Sequence, residues 1–217
     1  MGFLDERQQL VLQNALQRQK AEFSFFGGTD DAERRVLCVG EASGEEYPIA
    51  ALTASFKKEY TLSHRDFLGA LMALGVKRES IGDIRCGEGL CVFFAHEDIK
   101  KYLLENFDKA GKVGLTLTEG VNVPLPVAHS FQSLQKTVAS NRLDGVISAL
   151  LNTSREQAIQ MITAGLVTHN HIEASKNTAR VDKDDVIAVR GKGKFVIDSI
   201  ELPTKKGRIR LEARKYV

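Results

Sequence analysis

The chain of 217 residues carries 30 Lys or Arg against 28 Asp or Glu, and 43% of it is hydrophobic, as in ordinary globular proteins. No apolar run approaches the ~20 residues of a membrane span, and the first residues lack the basic and apolar regions of a signal peptide. Three cysteines without metal-ligand spacing predict reduced thiols in a cytoplasmic protein.

The first 46 residues are predicted to form a helix and a strand region that packs on the next domain. Residues 5–20 place apolar side chains at helical spacing after Asp5-Glu6, an acidic pair that favours a helix N-terminus. An aromatic cluster at residues 23–26 ends in two glycines, and residues 33–39 have the composition of a strand.

Residues 47–121 are predicted to form a domain of their own. The expected strands are 47–56, 81–85, 90–95 and 111–118, and the expected helices run from Ser63 to Gly75 and from Glu97 to Asp108. The order strand, helix, strand, strand, helix, strand predicts a ferredoxin-like (RRM-like) sheet with its helices on one face.

Sheets of that kind can bind RNA through aromatic side chains on their open face. Here Phe93 and Phe94 point to opposite faces without the usual basic lead-in, so at least one of them is expected in the core. Polar residues at helix ends form a candidate second contact surface, although each alone also fits a solvated cap. They are His64, Arg65, Asp66, Lys77 and Arg78.

Residues 122–141 are predicted to be a linker, because Pro124 and Pro126 favour a rigid, extended segment. Within this linker, residues 131–138 are predicted to form a short helix that bridges the two domains.

Residues 142–217 are predicted to form a small domain of two short helices on a twisted sheet, followed by a β-hairpin. Apolar spacing indicates a first helix after Arg142, and Thr153-x-x-Glu156 predicts the capping box of a second, which Gly165 ends. Strands are expected at residues 166–170 and 184–190. The fold class predicted for the whole chain is therefore α+β.

The charges concentrate in this last domain. Residues 1–141 carry sixteen Lys or Arg against nineteen Asp or Glu, whereas residues 142–217 carry fourteen against nine. Such an asymmetry is expected where one domain meets a polyanion.

A helix start that carries Arg155 beside a strand tip with amide donors is typical of a phosphate-binding surface. Asp144 is expected to orient Arg142 rather than to contact nucleic acid. The candidate RNA-binding set is Arg142, Asp144, Ser154, Arg155, Gln157, His169, Asn170, Arg190, Lys192 and Lys194. The C-terminal hairpin adds basic residues that are either a solvated edge or a supplementary phosphate contact. These are Lys205, Lys206, Arg208, Arg210, Arg214 and Lys215.

The order of residues in this domain resembles the RNA-binding domain named after small-subunit ribosomal protein S-four, the alpha-L motif. The matching residues are Arg142-Leu143-Asp144, Ser154-Arg155, Ala158, Ile162, Gly165, Val167, Asn170 and Asp185-Val186-Ile187. Many members have Gly after the Asn, where this chain has His171, a residue that tolerates left-handed geometry better than most.

Motifs along the whole chain are similar to the YlmH family of bacterial proteins. They are Phe3-Leu4-Asp5, Gly27-Gly28 with Glu33-Arg34-Arg35, the run from Ser63 to Leu71, Gly75-Val76-Lys77-Arg78 with Gly82-Asp83, and the run from Val189 to Phe195. The resemblance implies a non-enzymatic RNA-binding protein of bacterial translation. Its implied partners are ribosomal RNA or tRNA on the large ribosomal subunit, in quality control of obstructed peptidyl-tRNA complexes. The family is also linked to cell division, which makes division-machinery proteins candidate partners.

Two other functions stay open at the level of sequence. The first is RNA modification, because this type of domain is often appended to modifying enzymes. Apart from single carboxylates such as Asp66 and Asp83, however, the sequence offers no glycine loop, metal-ligand cluster or nucleophile–base pair. No catalytic residue, metal or cofactor is therefore expected. The second is an interaction protein of the division machinery, for which RNA binding would be incidental.

Overall fold

The computed structural model describes residues 2–40, 46–121, 124–128, 130–200 and 207–217. The chain divides into two compact units, Met1–Ala128 and His129–Val217. Both units combine helices with antiparallel sheets, so the predicted α+β class is confirmed. Among the described residues, no helix has the length and apolar character that crossing a membrane requires.

The first unit opens with helix α1, Glu6–Arg18, and a hairpin of strands β1, Phe23–Phe26, and β2, Val36–Val39. The helix begins after Asp5 because Asp5 and Gln8 form a reciprocal capping box. The Asp5 carboxylate accepts from the Gln8 N–H at 2.8 Å, and the Gln8 side chain accepts from the Asp5 N–H at 2.9 Å.

A four-stranded sheet forms the centre of this unit. The remaining elements of the unit are β3 Ile49–Ser55, α2 His64–Ala73, β4 Ile81–Gly87, β5 Leu90–His96, α3 Glu97–Asn106, β6 Lys109–Ala110, β7 Val113–Gly114 and β8 Thr116–Glu119. The sheet is antiparallel with the order β4-β5-β3-β8, and β6 and β7 form a separate small hairpin. The last predicted strand, 111–118, therefore starts later, because the chain first turns back at Gly111 (φ +60°).

Both faces of the central sheet are buried. Phe67, Phe93 and Leu103 pack on the face that carries the helices. On the opposite face Phe94 packs with Phe3, and an added Cβ at Gly28 would lie 2.2 Å from the Phe94 ring. The N-terminal segment thus covers the face that RNA-recognition sheets leave open, and both phenylalanines belong to the core.

The second unit contains a six-stranded antiparallel sheet with the order β11-β10-β12-β13-β14-β9. Its elements are β9 Phe131–Val138, α4 Leu143–Leu151, α5 Arg155–Thr163, β10 Val167–His169, β11 Ile172–Glu173, β12 Val186–Val189, β13 Gly193–Ile200 and β14 Ile209–Tyr216. Ile147 and Ile162 of the two helices pack into one core with Ile187, Phe195 and Leu211 of the sheet. The helices are therefore fixed on the sheet by apolar burial, and their N-termini are held in place with them.

The prediction of a helix at residues 131–138 is wrong, because these residues form strand β9. All eight pair with β14, from Phe131 opposite Tyr216 to Val138 opposite Ile209. The apolar spacing of Phe131, Leu134 and Val138 fits a helix, but Leu134 and Val138 also share one face of a strand. A partner strand far along the chain supplies the backbone hydrogen bonds and decides between the two. Residues 129–141 of the predicted linker therefore belong to the second unit.

Helix α5 uses a different cap from the predicted Thr153-x-x-Glu156 box. Ser154 Oγ accepts from the Gln157 N–H at 3.1 Å, and the Gln157 side chain accepts from the Ser154 N–H at 3.2 Å. Two overlapping capping patterns are present in the sequence, and the one that begins at Ser154 is used. Gly165 follows the helix with φ +66°, the left-handed conformation expected at a helix end.

Candidate nucleic-acid interface

A buried carboxylate at the N-terminus of α4 holds two arginines side by side. Asp144 has no exposed side-chain surface and accepts hydrogen bonds from Arg142 at 2.8 Å and Arg155 at 3.0 Å. It also accepts from the Gly145 N–H at 2.7 Å. The Arg142 and Arg155 side chains themselves remain 40% and 50% exposed. Asp144 therefore orients both arginines, although the sequence predicted this only for Arg142.

The charge of this anchor is secure at neutral pH. Burial raises the pKa of Asp144, but the hydrogen bonds from Arg142 and Arg155 together lower it by a larger amount. The pKa therefore lies below its ordinary value. Each guanidinium has five N–H donors in a fixed plane, and Asp144 occupies only some of them. The exposed part of each arginine can therefore still donate to an anion.

The N-termini of α4 and α5 both lie at Asp144, and each contributes the positive end of its helix dipole there. Arg142 precedes the first residue of α4, and Arg155 is the first residue of α5. Ser154 and Gln157, both predicted to contact RNA, use their side chains for the capping box, and the Thr153 hydroxyl is also bound to Gln157. These side chains therefore hold the start of the helix in place.

His169 and Asn170 are held at the tip of β10 by Asp185. The His169 ring lies 2.7 Å from one Asp185 oxygen, and the Asn170 amide donates to the other at 2.8 Å. Burial raises the pKa of Asp185, but its hydrogen bonds lower the pKa by a larger amount, to below its ordinary value. Asn170 and His171 have φ values of +50° and +66° and close the turn to β11. Both predicted contact residues thus have a structural role that sequence reasoning did not foresee.

The three predicted basic residues around the turn from β12 to β13 have different surroundings. Arg190 and Lys192 are exposed, and Lys192 borders a cavity of about 380 Å³ together with Gln157. Lys194 instead lies over the Tyr216 ring, 4.6 Å from its centroid. Lys192 is therefore near the start of α5, whereas Lys194 faces strand β14.

The candidate second surface of the first unit is split between the two ends of α2. His64, Arg65 and Asp66 occupy the first turn, and Arg65 and Asp66 border a cavity of about 510 Å³ with Lys109. Lys77 and Arg78 follow the other end of the ten-residue helix, about 15 Å away. The five residues therefore do not form one patch.

Arg78 and Asp66 also have local partners. Burial, and then the nearby charge of Arg34, lower the pKa of Arg78 to about 10, and its guanidinium donates to the Ile81 carbonyl at 2.6 Å. The Asp66 carboxylate accepts from the Ser63 N–H at 2.8 Å and from its hydroxyl at 2.6 Å. Arg78 therefore binds the backbone of its own unit, and Asp66 caps helix α2.

Both carboxylates that sequence reasoning noted for catalysis have local hydrogen-bond partners. Asp66 caps α2, and Asp83 accepts from the N–H groups of Glu33 and Arg34 at 2.8 and 2.9 Å. Within the described part of the chain, no group of three or more His, Cys, Asp or Glu side chains is placed to hold a metal ion.

Basic residues near Arg155 include one that the sequence prediction missed. Arg208 borders a cavity of about 340 Å³ with Arg155, and Lys136 and Arg210 border the adjoining one. Arg208 and Arg210 belong to the predicted basic hairpin, of which Lys205 and Lys206 fall outside the described residues. Lys136 was missed because its segment was assigned to the linker.

Comparison with known proteins finds a family match within the first unit. Residues 43–122 match the family described as "Putative RNA-binding domain in YlmH". The chain is 29% identical over 218 residues to the ribosome-associated protein quality control protein P2 of Bacillus subtilis (strain 168), an alignment that covers 96% of this chain and 84% of that protein.

A solved structure named cell division protein ylmH from Streptococcus pneumoniae also aligns, at 14% identity and a TM-score of 0.49. The alignment covers 55% of this chain and 76% of that chain. The family match and the relative that spans nearly the whole chain confirm that this protein resembles the YlmH family, as the motifs of its sequence predict.

Proposed function

We propose that this protein is a non-enzymatic RNA-binding protein that grips structured ribosomal RNA or tRNA on the large ribosomal subunit. The observation that carries the proposal is the Asp144 anchor. One buried carboxylate holds Arg142 and Arg155 at the N-termini of two helices while their side chains remain 40% and 50% exposed. This arrangement pre-orients two planar donors toward phosphate.

The affinity of this site comes mainly from phosphate contacts, and its selectivity comes from RNA shape. Because Asp144 limits the rotamers of both arginines, less side-chain entropy is lost when a phosphate binds. Arg190 and Lys192 extend the positive surface at the turn after β12. Ser154, Gln157, His169 and Asn170 maintain the backbone geometry around the site through capping and turn hydrogen bonds.

The architecture of both units supports the same proposal. We assign the four-stranded sheet of the first unit and its helices to the ferredoxin-like folds, since β3, the first strand of that sheet along the chain, lies between β5 and β8. We assign the second unit, from Arg142 onward, to the S-four-type RNA-binding domains, since α4, α5 and β10 follow one another in the expected order. On this assignment, β9 is an addition that extends the sheet beyond β14.

The biological setting is inferred from the relative in Bacillus subtilis, whose name associates it with the ribosome and with protein quality control. We propose that this chain has the same association and acts, in the cytoplasm, on large subunits that carry an obstructed peptidyl-tRNA. The first unit then provides a second contact, to RNA or to protein, and the matched RNA-binding family covers most of it. Division-machinery proteins are secondary partners in this proposal.

The proposal is tested with Arg155→Glu, using Lys101→Glu as a control of equal charge change on the exposed side of α3. Co-sedimentation with large ribosomal subunits and binding to their purified RNA are measured for both variants. We expect Arg155→Glu to weaken RNA binding by about 10- to 100-fold, because a phosphate donor becomes a repelling charge, and the control to bind normally.

A cooperative thermal transition verifies that Arg155→Glu remains folded, at a melting temperature lowered by the loss of the bond to Asp144. Equal binding by wild type and Arg155→Glu would contradict an RNA site at Asp144. Pull-down partners that survive nuclease treatment and are retained by Arg155→Glu would favour the division-protein alternative.

A further inference from the structure

Strand β9 is the outer strand of the second sheet and leaves one backbone edge without a strand partner among the described residues. Its inward residues Leu134 and Val138 pack on the core, whereas Ser133, Gln135 and Thr137 are exposed. Helix α4 runs beside this edge. Polar side chains and the free edge of the strand therefore face the same stretch of solvent.

Two adjoining cavities along this edge form one groove. Their volumes are about 660 Å³ and about 340 Å³, and they share Thr137 of β9 and Ala149 of α4 in their walls. The groove extends from Asn152, where α4 ends, to Gly145 and Arg155, where α4 and α5 begin. The rise of α4 over this distance is about 10 Å.

The charged side chains in the walls of this groove are all cationic. They are Lys136, Arg155, Arg208 and Arg210. Two of them have a carboxylate partner: Asp144 lies 3.0 Å from Arg155, and Glu212 lies 3.5 Å from Arg210. Hydroxyl groups of Thr137, Ser140 and Ser148 complete the polar lining. Such a lining complements a polyanion, and its open shape fits a flexible strand better than an enclosed small molecule.

We propose that this basic edge groove binds the phosphodiester backbone of a single RNA strand that leaves the structured RNA held at Arg142 and Arg155. The inference rests on the proposed function, because Arg155 belongs to both surfaces. Lys136 is already positioned, since its ammonium donates to the Asn152 side chain at 2.7 Å. Arg210 is half exposed and lies at the end of the groove away from Arg155.

The groove is tested with the double variant Lys136→Gln/Arg210→Gln and with Arg210→Gln alone. The control is Lys183→Gln, which removes one exposed charge elsewhere in the same unit. The probes are a fluorescent RNA hairpin with a blunt end and the same hairpin with six unpaired nucleotides at its 3′ end. Affinity is measured at several salt concentrations, and melting temperatures show whether each variant is folded.

We expect the double variant to bind the extended hairpin about 10-fold more weakly, with a salt slope reduced by about 1 to 1.5, because each lost phosphate contact contributes about 0.7. Binding of the blunt hairpin should stay normal, and Lys183→Gln should bind both probes normally. Arg210→Gln, which keeps the contact between Lys136 and Asn152, should show about half of the change in salt slope.

Unchanged affinity of the double variant for the extended hairpin, while Arg155→Glu loses both probes, would refute the groove and leave the proposed function standing. Normal binding of both probes by Arg155→Glu would overturn both proposals together. Loss of a nuclease-resistant protein partner by the double variant, with RNA binding intact, would show that the edge of β9 pairs with a protein strand instead.

Discussion

Arginines are placed in opposite ways in the two units. In the first unit Arg34 donates to the carbonyls of Ile81 at 3.1 Å and Phe3 at 2.7 Å, and Arg85 is 95% buried between strands and the N-terminal segment. In the second unit Arg142 and Arg155 share one buried carboxylate and keep about half of their surface in solvent.

The difference shows how the partner of an arginine decides its function. Backbone carbonyls that surround a guanidinium use its donors inside the fold, and burial accordingly lowers the pKa of Arg34 below its ordinary value. A single buried carboxylate fixes the arginine side chain but leaves some of its N–H donors exposed to solvent. Arginines of the first kind join the N-terminal segment to the central sheet, and those of the second kind keep N–H donors at the surface.

The comparison is tested most strongly at Gly28, where the N-terminal segment crosses the sheet. Gly28 has φ +94°, and an added Cβ would lie 2.2 Å from the Phe94 ring. We expect Gly28→Ala to reduce the free energy of unfolding of the first unit by about 3 kcal/mol, from backbone strain and overpacking together. Hydrogen exchange of β4 and β5 measures the loss.

Gly40→Ala is the matched control, because Gly40 has φ +101° but no atom within 4 Å of an added Cβ. It should cost about 1 kcal/mol, from strain alone. Equal losses for the two variants would mean that the contact with Phe94 contributes nothing. RNA binding at Asp144 should be unaffected by either variant.

Arg34→Gln and Arg142→Gln make the same substitution at an arginine bound by backbone carbonyls and at one bound by a carboxylate. We expect Arg34→Gln to lower the free energy of unfolding by about 2 kcal/mol, because two backbone carbonyls lose a charged donor, with RNA affinity unchanged. Arg142→Gln should cost about 1 kcal/mol or less, since Arg155 and Gly145 still bind Asp144, but should weaken RNA binding about 10-fold. Urea unfolding and RNA titration of both variants measure the two effects. A loss of RNA affinity by Arg34→Gln would remove the distinction between the two kinds of arginine.

Asp144→Asn removes the charge of the anchor and keeps its size. The amide oxygen can still accept one hydrogen bond, but the bonds to Arg142 and Arg155 are no longer charge-assisted on both sides. We expect a loss of about 1 to 2 kcal/mol in stability and a several-fold weaker affinity for RNA, although no RNA contact is removed. Calorimetry and RNA titration measure these effects. Normal RNA affinity in a folded Asp144→Asn protein would mean that pre-orientation of the arginines is unimportant.

Local patterns were sufficient for most helices and strands and for the pairing of Asp144 with Arg142, which is two residues away. They were insufficient where a residue far along the chain determines the structure, or where two local patterns fit the sequence equally well. Strand β9 has a helix-like apolar spacing and is recognisable only beside β14, and two capping boxes overlap at Thr153 and Ser154. The bond from Arg155 to Asp144 required the packing of α5 against α4.

Because local patterns do not show tertiary partners, they also did not show how single polar residues are placed. His64, Arg65 and Asp66 were grouped with Lys77 and Arg78 by chemistry, but the length of α2 separates them. For His169 and Asn170 the sequence shows donors at a strand tip, but not that Asp185 returns to bind them. Side-chain type therefore predicted the character of the surface, and tertiary contacts decided which members stay available.

Acid provides the mildest way to separate Arg34 from Arg142 and Arg155, because the carboxylate of Asp144 titrates and the carbonyls that bind Arg34 do not. The folded state lowers the pKa values of Asp144 and Asp185 below their ordinary values, despite the burial that raises them. Their contribution to stability is therefore complete above the unfolded pKa, near 3.9, and is lost as the pH falls through the lower folded values. We expect hydrogen-exchange protection of α4 to decline as the pH drops from about 5 toward 2, after correction for intrinsic exchange rates. Asp144→Asn should flatten this decline, because the asparagine does not titrate. An equally steep decline in Asp144→Asn would assign the acid sensitivity to Asp185 and its turn.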